Sequence, residues 1–506
     1  MSSTIDSYIK TPIDDIPKIV AKCRTAYNNK VMKTVEQRKD ALRRMINLIK
    51  ENLDLLKSAV HKDLGKPSME FEILEAGVAM SDAWEAISKL DDWVKPEYVE
   101  KDFALKMEDV HIKRDPLGTV LIIGAWNFPL QLLFVPMVGA LAAGNTVVLK
   151  PSEISPHSAA AMSALLPRYF PNNEVVAVNG AVAETTALLN ERFDHIMYTG
   201  NSRVARIVMA AAAKHLTPVT LELGGKSPCI VDSNCDLRIA ARRIAWGRLV
   251  NSGQTCIAPD YLLVNPSIKE KFVAELKKAL TEFLGEDAQK SKSYSRIVNN
   301  MHFKRVKALM SGGKVVVGGK TDEADRFIEP TVLDNVDLTS PLMTDEIFGP
   351  LLPMIPCASA AEAIDFINKR EKPLALYIFS NDSKFASEIV DNTSSGGVTV
   401  NDCLMHAAVP TLPFGGVGES GMGAYHGKLS FDIFSHKKAV MKRKQALEAL
   451  NKMRYPPYNE TNKNRMLMLL FRTGPENPMK KRLLQLIVVA AAAIGVRYLL
   501  QRLQFI

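Results

Sequence analysis

Short apolar runs recur along the first half of the chain and alternate with segments of helical periodicity. The runs lie at residues 120–124, 146–149, 175–178, 195–198 and 219–225. Continuous apolar runs of this length are typical of strands buried on both faces of a parallel sheet. The segments between them, at residues 132–141, 183–189 and 204–213, carry apolar side chains at helical spacing. The alternation predicts an α/β fold built on a Rossmann-like sheet.

The segments on either side of this region extend the pattern. Residues 15–61 and 70–90 have apolar side chains at a spacing near 3.6 residues, which predicts helices. Residues 100–118 are charged and alternating, which predicts an extended strand or hairpin arm. Beyond residue 226 strands and helices alternate again. The predicted helices there are 236–250, 268–284 and 360–368, and the predicted strands are 374–379 and 396–401.

Polar residues and glycine follow several of the predicted strands directly. Asn127, Lys150, Glu153, Gly200 and Glu222 all lie at or just beyond the carboxyl ends of these strands. Open α/β sheets bind their ligands at that edge. The pattern therefore predicts a nucleotide site there.

A cysteine follows the polar, glycine-containing turn at residues 250–255. Gly253 permits a tight bend, and such a turn can hold the thiol of Cys256 where a substrate reaches it. A thiolate is a suitable nucleophile for an electrophilic carbon such as an aldehyde carbonyl. The alternative is that Cys256 is a small buried hydrophobic residue, as many free cysteines are.

The charge of the chain is unevenly distributed. The 506 residues carry a net charge of +9, but residues 437–506 hold fifteen Lys and Arg and three acids, which leaves residues 1–436 at −3. This distribution argues against a body that binds nucleic acid and predicts that the basic tail meets an anionic surface, most simply lipid. The six cysteines form no C-x-x-C pair, so neither a zinc site nor a disulfide framework is indicated. The N-terminal segment lacks an apolar signal core.

Two glycine motifs suggest phosphate binding only superficially. Residues 416–421 fit the G-x-G-x-x-G pattern, but they follow no predicted strand and open no helix. Residues 225–227 and 319–321 resemble the end of a P-loop without its earlier glycine. Phosphoryl transfer therefore has no support.

Several longer motifs occur together in one order, and through them the chain resembles the NAD(P)-dependent aldehyde dehydrogenases. Within that superfamily it is most similar to the membrane-associated fatty aldehyde (class 3) branch. The resemblance covers roughly residues 10–445. The motifs are Trp126-Asn127-Phe128-Pro129, Leu149-Lys150-Pro151-Ser152-Glu153, Leu221-Glu222-Leu223-Gly224-Gly225-Lys226-Ser227-Pro228, Gly253-Gln254-Thr255-Cys256, Glu346-Ile347-Phe348-Gly349-Pro350 and Leu412-Pro413-Phe414-Gly415-Gly416-Val417-Gly418.

The resemblance implies a role for each of three catalytic residues. Cys256 would attack the aldehyde to form a thiohemiacetal, and the Asn127 amide, with the Cys256 backbone N–H, would stabilise the oxyanion. Glu222 would act as the general base that activates water to hydrolyse the thioester, and its apolar neighbours favour a raised pKa. The alternatives are a turn or helix-cap residue for Asn127 and an ion-paired strand residue for Glu222.

The resemblance also implies a cofactor site without a metal. Lys150 and Glu153 match the positions that hold the adenine ribose, and Glu346 and Phe348 match those at the nicotinamide ribose and ring. Thr199, Gly200 and Asn201 form the turn beside the pyrophosphate. NAD is the expected cofactor, with NADP possible, because Glu153 disfavours a 2′-phosphate without excluding it. Ala205 stands where the family usually has a second glycine, and Arg203 is also unusual, so the chain departs from the family pattern near the pyrophosphate.

The expected domain organisation follows the resemblance. Residues 1–99 with 119–222 would form the dinucleotide-binding domain and residues 223–426 the catalytic domain. Residues 100–118 and 427–445 would form an oligomerisation arm that extends a sheet across a homodimer interface. His406 is a candidate for the substrate entrance, although a structural role suits it better.

The C-terminal part of the chain is predicted to be a linker, residues 446–479, followed by a membrane tail, residues 480–506. Residues 483–496 are fourteen in number with only Gln485 polar, and span about 21 Å as a helix. Extension past Arg497 gives about 27 Å, close to a bilayer core of about 30 Å. The alternative is a buried or interfacial helix. A short span with basic flanks suits the endoplasmic reticulum or the mitochondrial outer membrane, with the body in the cytosol.

Two other functions remain as alternatives to fatty aldehyde oxidation. An acylating dehydrogenase would pass the thioester to coenzyme A, but that reaction has no need of Glu222 as a hydrolytic base. A non-catalytic scaffold on the membrane would have no need of Cys256, Asn127, Glu222 and Lys150 together.

Overall fold

The computed structural model describes residues 7–101, 105–106, 108–446 and 448–470. The chain divides into two compact units. The first comprises Met1–Lys95 and Arg114–His436, and the second comprises Pro96–Lys113 and Lys437–Ile506.

The strands are β1 (Glu97–Tyr98), β2 (Asp109–Pro116), β3 (Thr119–Ile123), β4 (Thr146–Lys150), β5 (Val175–Ala177), β6 (His195–Thr199), β7 (Val219–Glu222), β8 (Pro228–Val231), β9 (Tyr261–Val264), β10 (Lys314–Val317), β11 (Thr321–Asp322), β12 (Phe327–Ile328), β13 (Thr331–Asp334), β14 (Leu351–Pro356), β15 (Ala375–Phe379), β16 (Gly397–Val400), β17 (Gly421–Met422) and β18 (Ser435–Lys442). The helices are α1 (Ile16–Asn28), α2 (Val35–Glu51), α3 (Leu53–Leu64), α4 (Ser68–Phe71), α5 (Val78–Trp93), α6 (Gln131–Ala143), α7 (Pro156–Tyr169), α8 (Val182–Asn190), α9 (Ser202–Ala213), α10 (Leu237–Leu249), α11 (Lys269–Leu284), α12 (Asn300–Leu309), α13 (Pro341–Thr344), α14 (Ala360–Asn368), α15 (Ser383–Asn392), α16 (Gly427–Ile433), α17 (Glu448–Asn451) and α18 (Glu460–Leu470).

The first unit contains a six-stranded sheet in the order β17-β7-β6-β3-β4-β5. Five of its strands, β3 to β7, run parallel to one another, and β17 at the edge pairs antiparallel with β7. The apolar runs seen in the sequence are these parallel strands, and every residue of β3, β4 and β6 is buried. The register pairs Ile123 with Lys150 and Thr199 with Glu222, so the strands end at one common edge.

The same unit also contains a seven-stranded sheet, in the order β10-β13-β14-β9-β8-β15-β16. All of its pairs are parallel except β10 with β13. Its core packs α10 and α11 side chains such as Ile244 and Phe272 against strand residues such as Leu262 and Tyr377. The predicted α/β class with two alternating regions is confirmed.

Several predicted boundaries are wrong by a few residues. Helix α6 runs from Gln131 to Ala143, beyond both ends of the predicted segment 132–141, and the chain makes a turn at Pro129 and Leu130 before it. Strand β7 ends at Glu222 rather than at the glycine pair. Between Phe71 and Val78 the helical run continues as a π-helical segment, Glu72–Gly77, which the sequence pattern did not predict.

The segment predicted as the second half of the arm, residues 427–445, is only partly a strand. Its first part is helix α16, which packs against α6 so closely that a Cβ at Gly139 would overlap Ser430. The close approach depends on the two small residues, which the sequence pattern did not single out. The second part is β18. The described part of the predicted linker, residues 446–479, contains helices α17 and α18.

The second unit contains a three-stranded sheet in the order β1-β2-β18, with β1 antiparallel to β2. Asp109 accepts a hydrogen bond from His111 Nδ1 at 2.9 Å and lies 3.4 Å from Lys442 Nζ. Within the ranges described above, no helix is both long and apolar enough to cross a membrane. The predicted tail, residues 480–506, lies outside the described residues.

Candidate active site

The loop that carries Cys256 is a strained turn at the end of α10. Asn251 and Ser252 both have φ of 52°, and Gly253 has φ of 73°. Only glycine adopts such angles without strain, so two consecutive non-glycine residues here must be held by their surroundings. Gly253 is required for a second reason, since a Cβ there would overlap the carbonyl oxygen of Gly349. The turn therefore fixes where the cysteine lies.

Gln254 is the buried residue that ties this turn to the body. Its Nε2 donates to Asn251 O at 2.9 Å and to Arg296 O at 3.0 Å, while its Oε1 accepts from Val298 N at 3.0 Å. Every hydrogen-bond partner of the Gln254 side chain is a backbone group, so these bonds fix the backbone of the loop. Cys256 follows two residues later.

Asn127, which follows β3, contacts the same loop. It is 3% exposed, and its Nδ2 donates to Gln254 O at 3.0 Å. Its backbone oxygen accepts from Asn251 Nδ2 at 2.7 Å and from Lys66 Nζ at 2.9 Å. An amide nitrogen has two N–H groups, so one remains to donate to a substrate oxygen in the cleft.

Glu222 ends β7 as a buried carboxylate. It is 2% exposed, and neither of its oxygens has a hydrogen-bond partner among the described residues. Burial raises its pKa well above the ordinary value for glutamate. A carboxyl group with a raised pKa and no structural partner has the properties of a general base rather than of an ion-paired strand residue.

Burial also raises the pKa of the Cys256 thiol, to about 12. The negative charges of Glu346 and Glu222 raise it further, while the backbone N–H groups of Cys256 and Ile257 lower it. The thiol is therefore protonated at neutral pH, and its attack on a carbonyl requires a nearby proton acceptor.

These residues line a single cleft of about 660 Å³ in the first unit. It brings together all ten residues predicted from the sequence, namely Cys256, Glu222, Asn127, Lys150, Glu153, Thr199, Gly200, Asn201, Glu346 and Phe348. Its volume falls within the range of cofactor sites in proteins. Chain segments as far apart as residues 127 and 348 meet there.

One end of the cleft contains Lys150 and Glu153. Lys150 Nζ donates to Glu153 Oε2 and to Pro151 O, both at 2.9 Å, and burial lowers the pKa of this lysine. Lys150 is therefore a buried residue of the site and not a surface lysine. The pair offers a donor and an acceptor side by side, which is what the hydroxyl groups of a ribose require.

The turn after β6 lies beside this end. Asn201 Oδ1 caps helix α9 by accepting from Val204 N at 3.0 Å, and Gly200 N donates to Glu222 O at 3.0 Å. A Cβ at Gly200 would overlap the hydroxyl of Tyr198. Ala205 is buried within α9, so its methyl group faces the protein. Arg203 is exposed and lines the cleft.

The other end of the cleft contains Glu346 and Phe348. Burial, assisted by the charge of Asp260, raises the pKa of Glu346 to about 8, and the backbone N–H of Gly225 opposes this. A Cβ at Gly224 would overlap the Glu346 carboxylate, so the glycine pair after β7 makes room for this side chain. Phe348 has φ of 47° and packs edge-on against Trp126 with ring centroids 5.2 Å apart.

Sequence reasoning missed several residues that support the site. Lys66 and Glu75 lie behind Asn127, and Arg305 donates to the backbone oxygens of Glu346 and Ile347 at 3.2 and 2.7 Å. No motif marked them. Lys66 lies directly after helix α3, and Glu75 and Arg305 lie in helical segments whose apolar periodicity suggested only packing. The Glu-rich run after Lys66 was the only available signal.

His406 does not line the cleft. Its Nδ1 is 2.9 Å from Thr399 Oγ1, and its ring is stacked at 6.2 Å from that of Phe414. The structural role is the better interpretation. Among the residues with described positions, no group of three or more His, Cys, Asp or Glu side chains could hold a metal ion.

Known proteins resemble this chain along most of its length. The profile of the aldehyde dehydrogenase family matches residues 2–440. The rat protein named "Aldehyde dehydrogenase, dimeric NADP-preferring" is 52% identical over 448 residues, which is 88% of this chain and 98% of that protein. The Macaca fascicularis protein named "Aldehyde dehydrogenase family 3 member A2" is 47% identical over 458 residues, 90% of this chain and 94% of that protein.

A solved structure supports the same assignment. The substrate-bound state of Staphylococcus aureus AldH superposes with a TM-score of 0.87 at 41% identity, covering 89% of this chain and 98% of that one. The fold predicted from the motifs is confirmed, and so is a nicotinamide dinucleotide as cofactor, NAD with NADP possible. The chain belongs to the aldehyde dehydrogenase family, and its relatives include a family 3 member.

Proposed function

We propose that the protein oxidises medium- to long-chain fatty aldehydes to fatty acids through a covalent intermediate on Cys256. The single observation that carries the proposal is the buried carboxylate of Glu222, without a partner among the described residues, in the same cleft as Cys256. A thiol and a high-pKa carboxylate in one desolvated cleft suit acylation followed by hydrolysis.

The first step forms a bond between the sulfur of Cys256 and the aldehyde carbon. The thiol proton passes to water in the cleft, and the carbonyl oxygen becomes an oxyanion that accepts from Asn127 Nδ2 and from the Cys256 backbone N–H. Loss of one such donor costs about 3 kcal/mol of transition-state stabilisation in other enzymes. The backbone hydrogen bonds of Gln254 and Asn127 hold both donors in place before the substrate arrives.

The second step converts the thiohemiacetal into a thioester and then into the acid. When bound, the nicotinamide ring supplies the acceptor for the hydride. Lys150 and Glu153 would hold the adenine ribose of the dinucleotide, and Glu346 and Phe348 would position its nicotinamide end. Glu222 then takes a proton from water, whose oxygen attacks the thioester carbon, and the Cys256 thiolate leaves.

The acylating alternative remains a second candidate. In that reaction coenzyme A accepts the acyl group, and no hydrolytic base is required. Glu222 favours hydrolysis over transfer, because a buried carboxyl group with a raised pKa and no partner among the described residues suits a general base that activates water. Formation of free acid without coenzyme A distinguishes the two reactions.

We further propose that the chain accepts NADP as well as NAD. Glu153 would repel a 2′-phosphate, but its carboxylate is paired with Lys150 at 2.9 Å. Arg203 lines the same cleft, and its guanidinium makes no hydrogen bond or ion pair with any residue of the described ranges. The charges of Lys150 and Glu153 offset each other, so the positive charge of Arg203 is left available to a phosphate.

The C-terminal tail is proposed to anchor the protein to a lipid membrane with its body in the cytosol, at the endoplasmic reticulum or the mitochondrial outer membrane. The proposal rests on the sequence of residues 480–506, where Lys480, Lys481 and Arg482 precede the apolar segment. We also propose a homodimer, since the rat relative is named dimeric. The membrane would supply aldehydes dissolved in lipid to the cleft.

Replacement of Cys256 by alanine should abolish oxidation. With hexadecanal and NAD, we expect the rate of NADH production to fall by about 10³-fold or more, because no other group forms the covalent intermediate. Cys235→Ala is the matched control, since Cys235 is half-buried and lies outside the cleft. Comparison with hexanal then maps the chain-length preference. A folded wild-type protein that oxidises no aldehyde would contradict the proposal.

Replacement of Arg203 by alanine should weaken NADP binding selectively. We expect the Kd of NADP to rise by about tenfold, as loss of one phosphate ion pair allows, and that of NAD by less than threefold. Titration calorimetry with NADP, NAD and 2′-AMP measures this without turnover. Arg206→Ala is the control, because Arg206 lies on the same helix α9 as Arg203 but pairs with Glu419. An equal rise in the Kd of NADP and of NAD would indicate that Arg203 contacts the pyrophosphate instead.

Removal of the residues after Tyr455 should release the protein from membranes. We expect the full chain in the membrane fraction, because the basic-flanked apolar tail binds lipid, and the shortened chain in the soluble fraction with its NADH production retained. Light scattering of the shortened chain should give the mass of two copies. Full-length protein recovered without membranes would contradict the anchor, and a single-copy mass would contradict the dimer.

A further inference from the structure

A buried ion pair lies behind the segment that carries Asn127. Lys66 Nζ is 2.6 Å from Glu75 Oε1, and both side chains are fully buried. Lys66 follows Gly65, which ends α3 with φ of 61°, and Glu75 belongs to the π-helical segment Glu72–Gly77. Burial of two charges is costly unless their remaining donors and acceptors are used.

Those remaining groups are used on one short stretch of backbone. Lys66 Nζ donates to Asn127 O at 2.9 Å and lies 4.0 Å from the centre of the Phe128 ring. Glu75 Oε2 accepts from Leu130 N at 2.9 Å and from Gln131 N at 3.4 Å. The two ends of the stretch are thus held by the two partners of one ion pair.

The contact at Asn127 restricts the orientation of its side chain. A carbonyl oxygen has two lone pairs, and the oxygen of Asn127 accepts one hydrogen bond from Lys66 and one from Asn251. With the peptide group fixed on both sides, the Asn127 side chain has little freedom except about its own torsions. Its Nδ2 is then fixed by Gln254 O.

We propose that Lys66 and Glu75 are positioning residues that set the Asn127 amide where the oxyanion forms, an inference that rests on the function proposed above. Neither side chain lines the cleft, so neither touches the substrate or the cofactor. Stability alone does not account for the pair, because a buried ion pair can be replaced by apolar side chains of similar volume at little or no cost in stability. The contribution of the pair is the position of the backbone between Asn127 and Gln131.

The test is a double-mutant cycle against Asn127. The change Lys66→Met with Glu75→Leu removes both charges of the pair together, so that neither partner is left buried without the other. In the otherwise unchanged protein we expect kcat/KM for hexadecanal to fall by about 10- to 100-fold, part of the effect of losing an oxyanion donor. In the Asn127→Ala protein the same change should lower kcat/KM by less than about threefold, because the amide that it positions is absent.

Two controls separate positioning from a general structural effect. The Kd of NADH, measured by its fluorescence, should be the same in all four proteins, and thermal melting should show that each is folded. If the apolar pair does not fold, Lys66→Met with Glu75→Gln still removes both charges and keeps an acceptor for Leu130 N, and it should obey the same cycle.

Three outcomes would overturn the inference. They are an unchanged kcat/KM in the otherwise unchanged protein, an equal loss in both backgrounds, and a loss of NADH affinity parallel to the loss of activity. Failure of the proposed function would look different, since wild-type protein would then produce no NADH from any aldehyde.

Discussion

A hydrogen bond 3.0 Å long, from Asn127 Nδ2 to Gln254 O, joins two loops that belong to different sheets. Asn127 follows β3 of the six-stranded sheet, and Gln254 precedes the cysteine that leads into β9 of the seven-stranded sheet. In the reaction proposed for Cys256 and Asn127, the nucleophile and the donor for its oxyanion act together only if these loops keep one relative position. Strained backbone at Asn251 and Ser252 and the buried amide of Gln254 maintain that position. The chemistry thus depends on backbone contacts made before any substrate binds.

Desolvation is the second constraint on the site. Glu222, Glu346 and Cys256 all have a raised pKa, and for each the largest cause is burial rather than a single neighbouring charge. A low-dielectric cleft raises the basicity of the carboxylates and at the same time disfavours the thiolate. The same environment strengthens every hydrogen bond to a developing oxyanion, so the cost of forming the thiolate is offset in the transition state.

Much of this arrangement follows from the sequence. Continuous apolar runs placed the strands of the Rossmann-like sheet, and polar residues at their ends placed Asn127, Lys150 and Glu222 at one edge. The roles of Glu346 and Phe348 came from their resemblance to a family motif, because their distance from Cys256 along the chain hides their proximity in space. Lys66 and Glu75 could not be predicted. A lysine and a glutamate nine residues apart in a helical region are ordinarily solvent-exposed, and only the packing of α6 shows that both are buried.

The packing of helix α16 against α6 could not be predicted, because small residues decide it. Helix α16 joins the first unit through the close approach of Gly139 and Ser430, and no periodicity marks a contact of that kind. The left-handed turn before Cys256 was equally hidden, since Asn251 and Ser252 suggest a loop but not its angles.

The most direct test of the account is to trap the intermediate in a Glu222→Gln protein. After incubation with hexadecanal and NAD, the protein is quenched in acid and its peptides are weighed by mass spectrometry. The account predicts one hexadecanoyl group on the peptide that contains Cys256, one NADH per chain, and a steady rate lower by about 10²- to 10⁴-fold, because the thioester forms but water is not activated. An unmodified Cys256 together with turnover at the wild-type rate would contradict it.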